Sequence, residues 1–212
     1  MGRFEDVKNT LLKVQEILHK TPSYQVEFLS DVQLLNAQIA LSQRKFAEAI
    51  NEAKKAGKST DSSVRFEANK IVGLAQVFSN SRGTEGIKNC DNALQYAIGT
   101  KDLRTINSAK LTLAEAYLIT GKPTEALEIA LQVKDYFVSA GQLESGWRAW
   151  LLAALVCQQQ AEYEKAKEYA THALATLSTL QNDWNQENFN IYLSKPDINH
   201  YIKQAEKLAQ FQ

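Results

Sequence analysis

The chain has 212 residues, of which 44% are hydrophobic and 23% are charged, as in ordinary soluble globular proteins. Lysine plus arginine and aspartate plus glutamate both total 24, so the composition offers neither a basic surface for nucleic acid nor an acidic tail. No segment approaches the roughly 18 apolar residues of a membrane-spanning helix, and the N-terminus lacks an apolar signal core.

The first predicted element is a helix over residues 3–20. Its apolar residues recur at helical spacing and are Phe4, Val7, Leu11, Val14 and Leu18. Thr21-Pro22 predicts the start of the next helix, because proline is favoured at the first helical position. The first helix has no hairpin partner before it, so we interpret it as the second half of an earlier repeat.

A repeated pattern follows. Four segments that begin with a small residue, at 37–41, 73–77, 114–118 and 154–158, each precede a short polar joint and a second apolar segment. The second segments carry a small residue at an equivalent place, namely Ala49, Gly86, Ala126 and Ala166. These positions are 37, 40 and 40 residues apart. A second marker is Gly57, Gly99 and Gly141, each 42 residues apart, where a helix is expected to end.

The small residues have a mechanical reason. Two antiparallel helices joined by a short turn approach closely only where a side chain is short. With only 3 prolines and 9 glycines and no alternating strand pattern, the chain is predicted to be all-α.

The repeat resembles the tetratricopeptide repeat. Its motif spacing is met in the third unit by Leu113, Ala114, Tyr117, Gly121, Ala126 and Ala130. The fourth unit meets it with Trp150, Ala154, Tyr163, Ala166, Ala170 and Ala173. The resemblance covers residues 24–180 as four hairpins and implies a right-handed superhelix, an α-solenoid of about 10–11 helices in a single domain.

Two departures from the family pattern point the same way. The period is near 40 residues rather than the family's roughly 34, and the proline that usually closes a repeat is absent. Lengthened second helices would explain both. Such repeats resemble the sensor arrays of large bacterial signalling ATPases and of the maltotriose-responsive transcription activator.

Beyond the repeats, residues 184–211 are predicted to form terminal helices. Trp184 to Leu193 is predicted as a short helix, and Ser194-Lys195-Pro196-Asp197 is predicted as a capping-box-like start of a last helix that ends near Leu208. The chain is either a fragment of a longer protein or a short array with modified caps. Stacked repeats expose apolar ends unless something covers them, so self-association through exposed array ends is a possible mode of partnering.

The sequence favours no catalytic chemistry. His19, His172 and His200 are far apart, without Cys or His partners at metal-ligand spacing, and no phosphate-binding or nucleophile motif is present. Cys90 and Cys157 are interpreted as buried thiols, which suit a reducing cytoplasm. We therefore expect a protein that is not an enzyme, holds no metal or cofactor, and binds neither nucleic acid nor membrane.

The resemblance implies where binding occurs. First helices of tetratricopeptide hairpins line a concave groove, and the corresponding residues here are Leu34, Gln38, Lys70, Leu74, Phe78, Leu111, Glu115, Ile119, Leu151, Leu155 and Gln159. Family members that clamp a peptide carboxylate carry Lys, Asn and Arg there. Lys70 fits, but Leu34, Leu111 and Leu151 occupy the same place in the other units.

An apolar or amphipathic peptide segment is therefore the expected ligand, with a protein or peptide as partner. The chain would serve as an interaction scaffold, or as the sensor segment of a larger signalling protein. The rival hypothesis is a regulatory domain that senses a small metabolite. A third interpretation is that the leucines simply pack inside a tightly wound stack.

Overall fold

The computed structural model describes residues 4–80 and 83–210, so residue 3 of the predicted first helix and residue 211 of the terminal segment lie outside it. The described residues form eleven helices and no strand. The prediction of an all-α fold is thereby confirmed. The helices are α1 Phe4–Lys20, α2 Pro22–Ser42, α3 Phe46–Ala56, α4 Ser62–Ser79, α5 Thr84–Thr100, α6 Leu103–Ile119, α7 Pro123–Ser139, α8 Leu143–Gln159, α9 Tyr163–Asp183, α10 Gln186–Leu193 and α11 Pro196–Ala209.

Consecutive helices pack as antiparallel pairs. The hairpins are α2/α3, α4/α5, α6/α7 and α8/α9, and each hairpin packs against the next. The first helices also contact one another in succession, α2 with α4, α4 with α6 and α6 with α8, and so form an inner layer. Helix α11 packs against α9 and α8, where a further first helix would lie, and it also contacts α2. The last helix thus meets the first hairpin.

Three of the four turns inside the hairpins share one backbone conformation. Arg44, Gly121 and Ala161 adopt positive φ angles of 58°, 78° and 60°. In each of these turns the backbone N–H of the next residue donates to the carbonyl five residues earlier, as Lys45 does to Ala40 at 2.8 Å. This is the Schellman arrangement, which ends a helix and reverses the chain. Each left-handed residue stands five positions before one of the buried alanines Ala49, Ala126 and Ala166.

Two helices approach very closely in the second hairpin. A Cβ atom added to Gly73 would lie 2.8 Å from the carbonyl oxygen of Gly86, and one added to Gly86 would lie 2.6 Å from a methyl of Val77. Real Cβ atoms do not make such contacts, so α4 and α5 touch backbone to backbone because both positions are glycine. In the other three hairpins alanine occupies the place of Gly86.

Some helix boundaries differ from those predicted. Helix α3 has 11 residues, so the lengthening of second helices applies to α5, α7 and α9 and not to the first hairpin. Ser194 does not cap α11: its hydroxyl donates to the Ile191 carbonyl at 2.7 Å and so ends α10. Gly99 lies inside α5, and Lys101 takes the left-handed position after that helix. In the described part of the chain no helix is long and apolar enough to cross a bilayer.

Candidate functional site: a chamber between the first helices

The inner layer of helices encloses a cavity of about 670 Å³, which we call the central chamber. Its wall is built by α2, α4, α6, α8 and α11, together with the turn at Arg44 and the first residue of α3. Six residues of the predicted groove line it, namely Gln38, Lys70, Leu74, Phe78, Leu111 and Glu115. The first-helix register therefore brings together groove positions from α2, α4 and α6.

A smaller apolar pocket of about 120 Å³ adjoins the central chamber. Its lining includes the predicted residues Ile119, Leu151 and Leu155, together with His200 of α11. The residues common to both cavities are Phe78, Leu111, Glu115, Arg148 and Tyr201. The two cavities therefore share a wall, and a ligand in one lies next to the other.

The remaining predicted groove residues lie elsewhere or are covered. Leu34 lines a separate depression beside Tyr96, and Gln159 is exposed and lines neither cavity. Leu151 is only 2% exposed, because it belongs to a buried cluster that includes Ile198 and Tyr201 of α11. The last helix thus covers part of the surface that the fourth hairpin would otherwise present.

The wall of the central chamber is more charged than the sequence interpretation expected. Four basic and four acidic side chains line it: Arg44, Lys70, Arg104, Arg148, Glu67, Glu115, Glu144 and Asp197. Only Lys70 and Glu115 were predicted. Several of the others could have been found from helical register, since Arg104 and Ser108 precede Leu111, and Glu144 and Arg148 precede Leu151, by seven and three residues on the same helix face.

A buried polar network separates the two cavities. The Tyr201 hydroxyl of α11 donates a short hydrogen bond to Glu115 of α6, and Arg148 of α8 donates to the same carboxylate at 3.4 Å. The Arg148 guanidinium also lies 5.2 Å from the centre of the Tyr201 ring. Burial and the charge of Glu115 raise the pKa of Tyr201 well above its usual value, so the phenol stays protonated and keeps donating.

Asp197 adds an unsatisfied group to this wall. One of its carboxylate oxygens is buried and has no hydrogen-bond partner among the described residues. Burial raises the pKa of this carboxyl, and the nearby Arg148 charge only partly opposes that rise. The Asp197 carboxylate therefore has an unsatisfied hydrogen-bond acceptor at the start of α11.

The basic side chains of the chamber differ in their partners. Lys70 contacts Glu67 at 3.2 Å and the Ser108 hydroxyl at 2.9 Å. The Arg44 guanidinium lies 5.2 Å and 5.1 Å from the ring centres of Phe46 and Phe78, which stack on each other at 5.0 Å. Cation–π contacts fix its position without neutralising its charge.

The histidines and cysteines of the described chain are not gathered at this site. His19 lies on α1, and His172 of α9 stacks on Trp150 at 4.6 Å; of the three histidines, only His200 reaches a cavity wall. Burial raises the pKa of Cys90 to about 12, so this thiol is protonated at neutral pH. Within the described residues no group of three metal-ligating side chains converges. The two cavities together combine fixed charges with an apolar recess.

Comparison with known proteins adds no relative. No protein-family model matches the chain, and no curated protein matches it.

Proposed function

We propose that this chain is a tetratricopeptide-like array, wound as a right-handed superhelix, that binds a short apolar or amphipathic peptide segment in the central chamber. The observation that carries the proposal is the pairing of the two cavities through Phe78, Leu111 and Tyr201. An extended segment in the chamber can place one aliphatic side chain in the adjoining apolar pocket. The surrounding charges and hydroxyls then face the peptide backbone and its polar side chains.

The chamber suits an extended segment better than a helical one. A helix with its side chains has a diameter of about 10–12 Å, and a cavity of about 670 Å³ holds only a few residues of it. Polar groups that could pair with a peptide backbone line the cavity, including Gln38, Ser108 and Thr112. Peptide recognition by such walls combines backbone hydrogen bonds with a pocket for a single side chain.

A small metabolite is the second candidate ligand. Helix α11 contacts α2 and so closes the chamber on one side, and about 670 Å³ falls within the roughly 300–1,000 Å³ of small-ligand sites. Both candidates share a non-catalytic role, in keeping with a sensor segment of a cytoplasmic signalling protein. They differ in whether the ligand extends beyond the chamber.

The test uses hexapeptides displayed on phage and selected against the folded chain. We expect enriched sequences that share one large aliphatic residue. Ile119→Lys places a cation in the apolar pocket and should reduce their binding at least tenfold, because burying an unpaired charge is costly. The matched control is Leu103→Lys on the same helix, since Leu103 is 61% exposed and lines neither cavity.

Both variants should melt close to the parental temperature. The proposal is wrong if selection enriches no sequence, or if Ile119→Lys remains folded and binds as tightly as the Leu103→Lys control.

A further inference from the structure

Arg44 stands apart from the other cations of the central chamber. It occupies the left-handed position of the turn between α2 and α3, with φ of 58°, where the equivalent turn after α6 has Gly121. Its guanidinium rests against the rings of Phe46 and Phe78 and lines the chamber. Among the described residues no carboxylate forms an ion pair with it, so a half-buried positive charge faces the cavity uncompensated.

The other three basic residues are already paired or lie far from Arg44. Lys70 pairs with Glu67, and Arg148 pairs with Glu115. Arg104 is exposed near the N-terminal end of α6. Arg44 follows the C-terminal end of α2, and Phe78 lies at the C-terminal end of α4. First helices run parallel to one another, so Arg104 and Arg44 belong to opposite ends of the chamber. Glu67 and Phe78, which mark these ends on α4, are roughly 16 Å apart at 1.5 Å per residue.

The charges of the chamber are therefore separated along its length. Glu144 lies near the start of α8, at the Arg104 end, whereas Asp197 lies at the start of α11, one helical turn before His200. Neither carboxylate forms an ion pair with a described residue. At the Arg44 end the neighbouring groups are the two phenyl rings and His200. Burial, and then the charge of Arg44, lower the pKa of His200, so this imidazole stays neutral to a lower pH than an ordinary histidine. Glu115 also lines the apolar pocket, but its carboxylate already accepts hydrogen bonds from Tyr201 and Arg148.

The apolar pocket opens beside Arg44. Phe78, on which the guanidinium rests, lines both cavities, and His200 lies on the pocket wall. The pocket volume of about 120 Å³ is a little below the roughly 150 Å³ of apolar cavities that hold benzene. A branched group of four or five carbons, such as a leucine side chain, therefore fills it.

We propose that the ligand of this chamber carries a carboxylate attached to a branched aliphatic group, with the carboxylate on Arg44 and the aliphatic group in the apolar pocket. Arg44 lies in a turn, so this is a different position from the first-helix sites where carboxylate-clamping relatives of the repeat carry their cations. The proposal rests on the central chamber being the binding site proposed above. Two sources share this chemistry: a peptide that ends in leucine, and a free branched-chain acid.

The experiment compares three ligands by isothermal titration calorimetry. They are a hexapeptide mixture ending in leucine with a free carboxylate, the same mixture as its C-terminal amide, and isocaproate. We expect the free-acid peptides to bind at least tenfold more tightly than the amides, the usual scale of a charge-assisted hydrogen bond. Arg44→Gln should remove this difference, and the control Arg104→Gln should retain it.

The outcomes separate this inference from the proposed function. If acid and amide peptides bind equally tightly, the chamber remains a peptide site but the carboxylate proposal fails. If isocaproate binds in an Arg44-dependent way and peptides do not, the carboxylate proposal stands and the peptide function fails. Absence of binding by all three overturns the inference. Should Arg44→Gln not fold, the acid-to-amide ratio of the parental chain decides alone.

Discussion

The two end helices of the array are both amphipathic, yet they are used differently. In α1, Leu11 and Leu18 are buried, whereas Val7, Leu12 and Ile17 are between 41% and 60% exposed. In α11 four apolar residues are buried and Ile202 is partly buried; the four are Ile198, Tyr201, Ala205 and Leu208. The difference arises because α1 packs on α2, whereas α11 packs on α8 and α9 and also reaches α2. A terminal helix is covered when it packs against more than one neighbouring helix.

The largest expected effect separates the two ends directly. Leu208→Ala removes a leucine that is 2% exposed in a buried cluster and should lower the free energy of unfolding by about 2–5 kcal/mol. Leu12→Ala makes the same change at a site that is 51% exposed and should alter it by no more than about 0.5 kcal/mol. Urea unfolding measures both values. Equal losses would show that the two ends are covered alike.

A smaller effect is expected from the network that fixes α11. Tyr201→Phe deletes the hydroxyl that donates to Glu115 and should cost about 1–3 kcal/mol, since Glu115 is then less satisfied in a buried site. Tyr136→Phe is a suitable control, because its hydroxyl makes no hydrogen bond within the described residues. A Tyr201→Phe variant as stable as that control would mean that the network does not hold the helix.

The smallest effect concerns pH. Burial raises the folded-state pKa of Asp197, so the folded chain binds more protons than the unfolded chain just above the ordinary aspartate range. Asp197 therefore lowers stability progressively as pH rises through that window. Asp197→Asn should slightly raise the free energy of unfolding, measured in urea at pH 7, by no more than about 1 kcal/mol. The gain should disappear near pH 3. A gain that persists at pH 3, or a loss at pH 7, would contradict this account.

The helices themselves could be predicted from the sequence because their signals are local. The apolar period and the recurring small residues predict the paired helices, and Pro22, Pro123 and Pro196 stand at the first position of α2, α7 and α11. Ser194 misled the assignment of the last start, because a hydroxyl can serve either the end of one helix or the start of the next. Its hydrogen bond to Ile191 decides for the former.

The site could be predicted only where it follows from register on one helix. Lys70, Leu74 and Phe78 share a face of α4 and all reach the central chamber. The contact of Tyr201 with Glu115 spans 86 residues and depends on how the intervening helices pack, which no local pattern records. Helix α11 also packs over Leu151, so a residue at a predicted groove position becomes part of the core.

The contact between α11 and α2 also bears on how this protein can change over evolution. An open array can gain or lose a hairpin by duplication or deletion, because each unit touches only its neighbours. Here an inserted hairpin would move α11 away from α2 and widen the central chamber between the first helices. The number of units is therefore linked to the width of the cavity, so the repeat count as well as the side chains sets the size of the space inside.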